Sequence, residues 1–372
     1  MIDLHTLITI ILLSSAVAFL VAFPVIALLY KFNITRRMTV DFSTLIEKRN
    51  LKIGVPIMGG LIVVIAVSIL NILLNPNRGI YLVIGLFLIS AGLGGLDDIL
   101  NIYGRNRPKP KSISLILKLI RVHKSKWKRF WLVVTFPWSA YKSFFYLLGS
   151  NPGKGIQAHE KILVQSIVGL ALGFALYYFT PLTSPEILNI PFLTEHLNIG
   201  LLLIPFAWIT TVLMTNAVNF ADGMDGLAAN QLLASFVGFL IIAIVKENNR
   251  SVILIATVVG SLLSYIYFNI APARFQMGDV GALALGTLLA SVAFLLNEPL
   301  MLLIISFPFV LSLSSTVIQG IGRRILGRRI FVMAPIHYHF QMKYGWSEEK
   351  VVMRFTLFAQ ICMLVGIWIF TL

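Results

Sequence analysis

Five aspartates carry most of the chemistry this sequence offers. Asp97 and Asp98 stand side by side in "GLGGLDDILN" (92–101), Asp222 and Asp225 lie in "NAVNFADGMDGLA" (216–228), and Asp279 lies in "MGDVGALALG" (277–286). The chain has only 15 acidic residues, and these five border long apolar runs with glycines around them. In the middle segment Asn216, Asn219, Asp222 and Asp225 arrive at every third position. A single aspartate at the end of an apolar run reads as a solvated helix terminus, but five together do not. Ionisable groups at membrane depth usually line a functional cavity. Converging carboxylates repel one another and raise each other's pKa unless a cation joins them. Mg²⁺ suits such ligands, since it takes one or two carboxylates and keeps waters or substrate phosphates. The chemistry implied is therefore on phosphate, where metal and cationic side chains offset charge on the transferring group.

The surrounding residues fit that expectation. Gly223 and Gly226 are predicted to break the fifth helix and let a ligand approach the backbone. Gly278 and Gly281 flank Asp279 at the start of a helix, where free amides and the dipole favour an anion. His337 and His339, in "APIHYHFQ", lack a nearby cysteine or glutamate, so they read as hydrogen-bonding groups for a phosphate or an amide. His5, His123, His159 and His196 read as solvated. The single Cys362 sits in an apolar run, which excludes disulfides and cysteine metal sites.

These residues need a membrane scaffold. The 372 residues are 58% hydrophobic and 12% charged, against about 25% charged for a soluble domain. About 20 apolar residues suffice to cross a bilayer as a helix. Ten such runs can be read, near 6–30, 53–74, 79–96, 162–180, 198–215, 227–245, 251–270, 281–297, 300–322 and 351–371. The expectation is an all-α polytopic membrane protein, one integral domain over 1–372, with a basic insertion at about 104–152. Asp3 stands where a signal peptide would be basic, so the first run reads as a retained span. With both termini outside, 27 of the 30 lysines and arginines fall on the inner side, as the positive-inside rule requires. That distribution makes a nucleic-acid partner unnecessary and points instead to anionic membrane lipids. On this topology six polar segments remote in sequence, 52–60, 92–101, 153–165, 216–228, 269–286 and 331–346, share the inner face. The insertion's "SISLILKLIRVHKSKWKRF" has the pattern of a helix in the headgroup plane. "FWLVVTFPWSAYKSFFYLLG" (130–149) is a poor eleventh span, because Pro137 and Lys142 interrupt it and a crossing would separate the aspartates.

The order "PIMGG", "LDD", "NAVNFADGMDGLA", "MGDVGALALG" and "APIHYHF" resembles the bacterial phospho-N-acetylmuramoyl-pentapeptide transferase family, within the polyprenyl-phosphate N-acetylhexosamine-1-phosphate transferase superfamily. The likeness covers nearly the whole chain apart from the insertion. The aspartate motifs are those of the superfamily, whereas "RRIFVMAPIHYHFQMKYGWSEEKVVMRF" marks the muramoyl-pentapeptide branch. The resemblance implies Mg²⁺-dependent transfer of phospho-MurNAc-pentapeptide from UDP-MurNAc-pentapeptide to undecaprenyl phosphate, giving lipid I and UMP. It places the enzyme in the cytoplasmic membrane with its site facing the cytoplasm; a homodimer is compatible with it. By the same resemblance Asp279 is the principal Mg²⁺ ligand, with Asp222 near the metal and diphosphate. Asp97 and Asp98 match the acceptor-side pair, one taking or positioning the proton of the lipid phosphate. Asn216 and Asn219 match diphosphate contacts, and Lys161 a lysine near the phosphates. Lys52, Gly223, Met224, Asp225 and Asn269 match uridine-binding positions. His337 and His339 match two of three histidines, His337 being counted with the catalytic residues.

Several positions depart from the family pattern. Asn101 replaces a lysine, Tyr338 the middle histidine, Gln341 a glutamate and Ile57 a threonine. Gln276 replaces a phenylalanine that stacks on uracil, with Phe275 adjacent as a ring that could stack in its stead, and by the resemblance Phe275, Gln276, Tyr338 and His339 are counted as substrate-binding. The close rival is a relative using another UDP-N-acetylhexosamine, which "APIHYHF" argues against. The rival of another class is a transporter with intramembrane acids, which predicts acids at mid-span and internal repeats. Neither is found. A non-catalytic relative is the third alternative, raised by Asn101 and Tyr338.

Overall fold

The structure is a computed structural model that describes residues 2–36, 54–105, 107, 112–147, 153–179, 187–190 and 196–372. It is an all-α polytopic membrane protein. The helices are α1 (Leu4–Lys31), α2 (Leu61–Leu74), α3 (Arg78–Tyr103), α4 (Ile113–Val122), α5 (Lys126–Val134), α6 (Phe136–Leu147), α7 (Ala158–Phe179) and α8 (Leu203–Ala221). They continue with α9 (Leu227–Val245), α10 (Asn249–Asn269), α11 (Gly278–Leu295), α12 (Leu302–Ile305), α13 (Phe307–Arg324), α14 (Ile336–Tyr344) and α15 (Glu348–Phe370). A short antiparallel pair, β1 (Ile187–Asn189) and β2 (His196–Asn198), joins α7 to α8 with Leu188 opposite Leu197.

Among the described residues eight helices are long and apolar enough to cross a membrane. The other two expected spans differ from the sequence reading. The helix expected from 53 starts only at Leu61 and has 14 residues, about 21 Å at 1.5 Å per residue. The preceding extended backbone is satisfied by protein: Gly59 and Gly60 donate to the carbonyls of Gln276 and Met277 at 2.8 and 3.0 Å, and the Gln276 amide donates to Pro56 O at 2.9 Å. Irregular backbone at membrane depth survives only with such partners. The expected span 300–322 is broken, Pro299–Ile305 and Phe307–Arg324 meeting at 82°. Pro308 in the first turn of α13 has no amide to continue the α12 ladder.

The hub is α11, "GDVGALALGTLLASVAFL", in which every residue from Val280 to Leu295 is buried. It packs on α3 and α8, and more lightly on α2, α7, α9 and α10. Small residues permit this, as is usual where helices pack in lipid. A Cβ on Gly286 would come within 2.7 Å of Thr215 Cα, and one on Gly281 within 2.8 Å of Gly60 Cα. Chain direction alternates, so α3 and α8 end, and α7 and α11 begin, at one end of the bundle. The described parts of all six polar segments meet there. The described part of 130–149 forms no single span; it divides at Thr135 into α5 and α6.

Candidate active site

Four helix ends build the centre. Asp97 and Asp98 come from the last turns of α3, Lys161 from the first turn of α7, Asn219 from the last turn of α8 and Asp279 from the first turn of α11. The Lys161 ammonium bridges Asp97 Oδ2 at 2.8 Å and Asp279 Oδ2 at 2.5 Å. Asn219 Nδ2 donates to the other oxygen of Asp279 at 2.9 Å. Asp97 also accepts from Asn101 Nδ2 at 2.8 Å and from the Ile156 amide. The place of the family's lysine is thus taken by an amide, while the ammonium on Asp97 arrives from α7.

Asp98 has a different environment. Its two oxygens accept from the amides of Asp279 and Val280, each at 3.1 Å. The anion position expected at the start of α11 is therefore filled by the protein's own carboxylate. Gly278 makes this approach possible: its φ is +72°, and a Cβ there would lie 2.6 Å from Asp98 Oδ2.

Asp222 is the C-cap residue of α8. Desolvation, helped by the Asp279 charge, pushes its carboxyl up to about 7, against the pull of Gly278 and Arg36. Asp225 is buried; its Oδ2 accepts from the Ala273 amide at 3.2 Å, and its own amide donates to Glu348 Oε1 at 2.9 Å. Asn269 latches the same loop, accepting from Gly226 N and donating to Phe275 O, both at 2.8 Å.

The histidine segment packs against this loop. Tyr338 donates its hydroxyl to Gly223 O at 2.6 Å, and a Cβ on Gly223 would lie 2.6 Å from His337 Nε2. His337 is buried, and Met224 packs with Leu227, Ile336, Tyr338, Val351 and Phe355. His339 is half-buried, and its Nδ1 accepts from the Val332 amide at 3.1 Å. Desolvation and Lys343 hold its pKa below the ordinary imidazole value, as that accepting role requires.

Not every expected residue joins the cluster. Asn216 lies one turn deeper than Asn219 and donates to Gln165 Oε1 and Val212 O, both at 2.7 Å. Phe275 is 0% exposed, enclosed by Tyr265 and Phe268, so the expectation that it could stack on a base is corrected: it belongs to the core. Its neighbour Gln276 is half-buried and accepts from Arg36 Nη1 at 2.9 Å. His159, expected to be solvated, is instead buried against the rings of Trp138 and Tyr141. Lys52 lies outside the described residues. Sequence reasoning missed the Ile156 amide, Gly155 packed against Asp97 and Asn101, and Glu348 beneath Asp225. It also missed Arg107, paired with Glu160 at 2.6 Å beside Lys161. Only the glycines of "GKGIQ" carried a local signal for the first of these.

Glycosyl transferase family 4 is matched by residues 153–297, which include Lys161, Asn219, Asp222 and Asp279. A phospho-N-acetylmuramoyl-pentapeptide-transferase of Wolbachia sp. subsp. Brugia malayi (strain TRS) is 38% identical over 224 residues, 58% of this chain and 67% of the relative. The chain belongs to the phospho-N-acetylmuramoyl-pentapeptide transferase family. A second member, from Clostridium novyi (strain NT), is 29% identical over 359 residues, 95% of this chain and 94% of its own length. That longer likeness takes in the Asp97–Asp98 pair and the histidine segment as well. Membership makes this chain a transferase of the membrane.

Chemically, the cluster offers oxygen donors in excess of positive charge. Asp97, Asp98, Asp222 and Asp279 come together, and Lys161 is the ammonium that touches two of them. Among the described residues no three His, Cys, Asp or Glu side chains are grouped so as to hold a metal ion by themselves. The geometry is that of an open, oxygen-rich site.

Proposed function

We propose that this chain transfers phospho-MurNAc-pentapeptide from UDP-MurNAc-pentapeptide to undecaprenyl phosphate, releasing UMP and forming lipid I. The observation that carries this reading is the Asp97–Lys161–Asp279–Asn219 cluster, drawn from four helix ends where hydrocarbon gives way to water. A lipid-borne phosphate and a water-soluble nucleotide can meet only at such a depth. The relatives' printed names supply the donor group.

In this reaction an oxygen of the acceptor phosphate attacks the phosphorus bound to the sugar. One P–O bond forms there, the bond to the UMP phosphate breaks, and UMP leaves with that electron pair. Little covalent work falls to the protein; positioning and charge do the rest. Lys161 faces the transferring phosphoryl group, and Asn219 keeps Asp279 oriented. Asp97, which stands beside the Lys161 ammonium while both oxygens of Asp98 are turned to the amides of α11, is the member of the pair assigned to the acceptor's proton. His337, beside Gly223, is assigned to hydrogen bonding with the donor.

Mg²⁺ fits this site, because the donors are all oxygen and their charge exceeds that of Lys161. Asp279 and Asp222 would hold it, leaving further positions for waters and phosphates. Bound there, it would offset charge on the transferring group. The site is assigned to the cytoplasmic face of the cytoplasmic membrane, supported by the 27 of 30 basic residues on that side.

The test is direct. Purified protein with Mg²⁺ and undecaprenyl phosphate is given UDP-MurNAc-pentapeptide or UDP-GlcNAc, and UMP is measured. Release from the first donor alone is expected. Consumption of UDP-GlcNAc instead would reassign the donor, and silence with both would overturn the reading.

A further inference from the structure

The helices α4, α5 and α6 form a unit that the reaction does not use. Residues 112–147 contain seven lysines and arginines and no acid. In α4 the residues Ser114, Lys118 and Arg121 share one face, while Ile113, Ile116, Leu117 and Ile120 share the other. In α5 nothing is buried: Trp127 is 67% exposed, Phe130 55% and Trp131 49%. Lys118, Arg121, Lys124, Lys126, Lys128 and Arg129 are exposed around them.

The position of this unit is fixed by α6. Trp138 and Tyr141 pack on His159, at the start of α7, with ring centroids 5.3 and 6.2 Å apart, and Tyr141 donates to His159 O at 3.1 Å. On its other side Arg324, the last residue of α13, lies 4.1 Å over the Tyr146 ring. Both contacts are at span ends on the acid-bearing side, so the unit lies level with the headgroup layer.

We propose that residues 112–147 are a docking surface for anionic lipid headgroups of that leaflet. Protein interfaces are depleted in lysine, whereas helices lying in the headgroup plane combine Lys and Arg with Trp, Phe and Leu. The absence of any acid in the unit selects anionic over zwitterionic lipid. The aromatic side chains enter the acyl boundary, and the six exposed cations collect the headgroups. This surface is independent of the transferase reading.

The test uses the full chain with Trp208, Trp346 and Trp368 changed to Phe, so that fluorescence reports Trp127, Trp131 and Trp138. Nanodiscs of phosphatidylcholine carry a minority of brominated phosphatidylglycerol or, in parallel, the same fraction of brominated phosphatidylcholine. Phosphatidylglycerol should quench roughly threefold more at equal fraction, as expected for several basic groups near a charged surface. The excess should disappear when the six exposed Lys and Arg become Gln. It should also shrink between about 0.1 and 1 M salt, as the screening length falls from about 10 to about 3 Å; this arm needs none of the six charge substitutions. Equal quenching by the two lipids would overturn the proposal. So would no quenching by either, or tryptophans shielded only as the copy number per disc rises, which would give the surface to a second copy.

Discussion

The two ends of the bundle treat charge in opposite ways. At the end remote from the aspartates, Glu298 is buried and matched: Lys246 Nζ lies 2.5 Å from it, and Asn189 Nδ2 donates at 2.6 Å. Lys246 also donates to Leu296 O at 2.7 Å, so the group closes on itself. At the aspartate end one ammonium serves both Asp97 and Asp279, and two further carboxylates stand beside them. A matched pair stabilises without inviting a ligand. An unmatched cluster costs stability in the empty protein, and a bound cation would relieve it. The comparison separates structural from functional charge without reference to any relative.

The largest effect that could break this contrast is expected at Asp279. Asp279→Asn should lower UMP release by about 10³-fold, the scale of removing a charge-organising group at a transferring centre. Its thermal unfolding midpoint should move little, because the lost contact with Lys161 and the lost repulsion from the neighbouring carboxylates oppose each other. A variant that unfolds earlier and retains turnover would make Asp279 structural. Next in size is Gly278→Ala, which places a side chain at φ +72° and against Asp98 Oδ2. A loss of about 1–3 kcal/mol is expected for such strain, seen as an earlier melt together with reduced turnover, since the start of α11 must shift.

At the matched end the order of effects should reverse. Lys246→Met leaves Glu298 buried with Asn189 alone. Removing one partner of a fully buried pair costs about 3–5 kcal/mol, and the partial exposure of Lys246 brings that to about 2. Adding Glu298→Gln should restore much of the loss. Turnover at a permissive temperature should stay within twofold throughout. A proportional fall in turnover would mean that the two ends are coupled, and the contrast would lose its meaning.

What the sequence made legible follows from what hydropathy and local motifs can encode. Ten apolar runs were visible because lipid demands them, and the meeting of six polar segments followed from their shared depth. The late start of α2 was hidden because "PIMGG" carries no charge, so the uncharged run continues from it into the helix. The 82° break was hidden because Pro308 is acceptable in a first helical turn and hydropathy runs on through Ser306. At the site, adjacency misled twice. Asp97 and Asp98 lie about 100° apart around α3, so one meets Lys161 and the other the amides of α11. Phe275 and Gln276 are neighbours in the same way, one turned into the core and the other toward Arg36.

The smallest effect concerns Asn101, and it sharpens the account of the unmatched end. Were the lysine missing at this position a catalytic deficit, Asn101→Lys should raise turnover strongly. The geometry argues otherwise. Asn101 Nδ2 already occupies Asp97 Oδ2 at 2.8 Å, the same oxygen that Lys161 reaches at 2.8 Å. A new ammonium there competes with Lys161 rather than filling a gap, and Gly155 packed against Asn101 leaves it little room. The gain in positive charge and the displacement of Lys161 from its bridge therefore oppose each other. Turnover of Asn101→Lys should stay within about threefold of the parent, on the scale of a partly exposed charge. The informative measurement pairs it with Lys161→Met. If the ammonium introduced by Asn101→Lys stands in for that of Lys161, the double variant should recover activity that Lys161→Met alone has lost. If it recovers none, the bridge between Asp97 and Asp279 requires an ammonium arriving from α7, and the direction of approach matters as much as the charge.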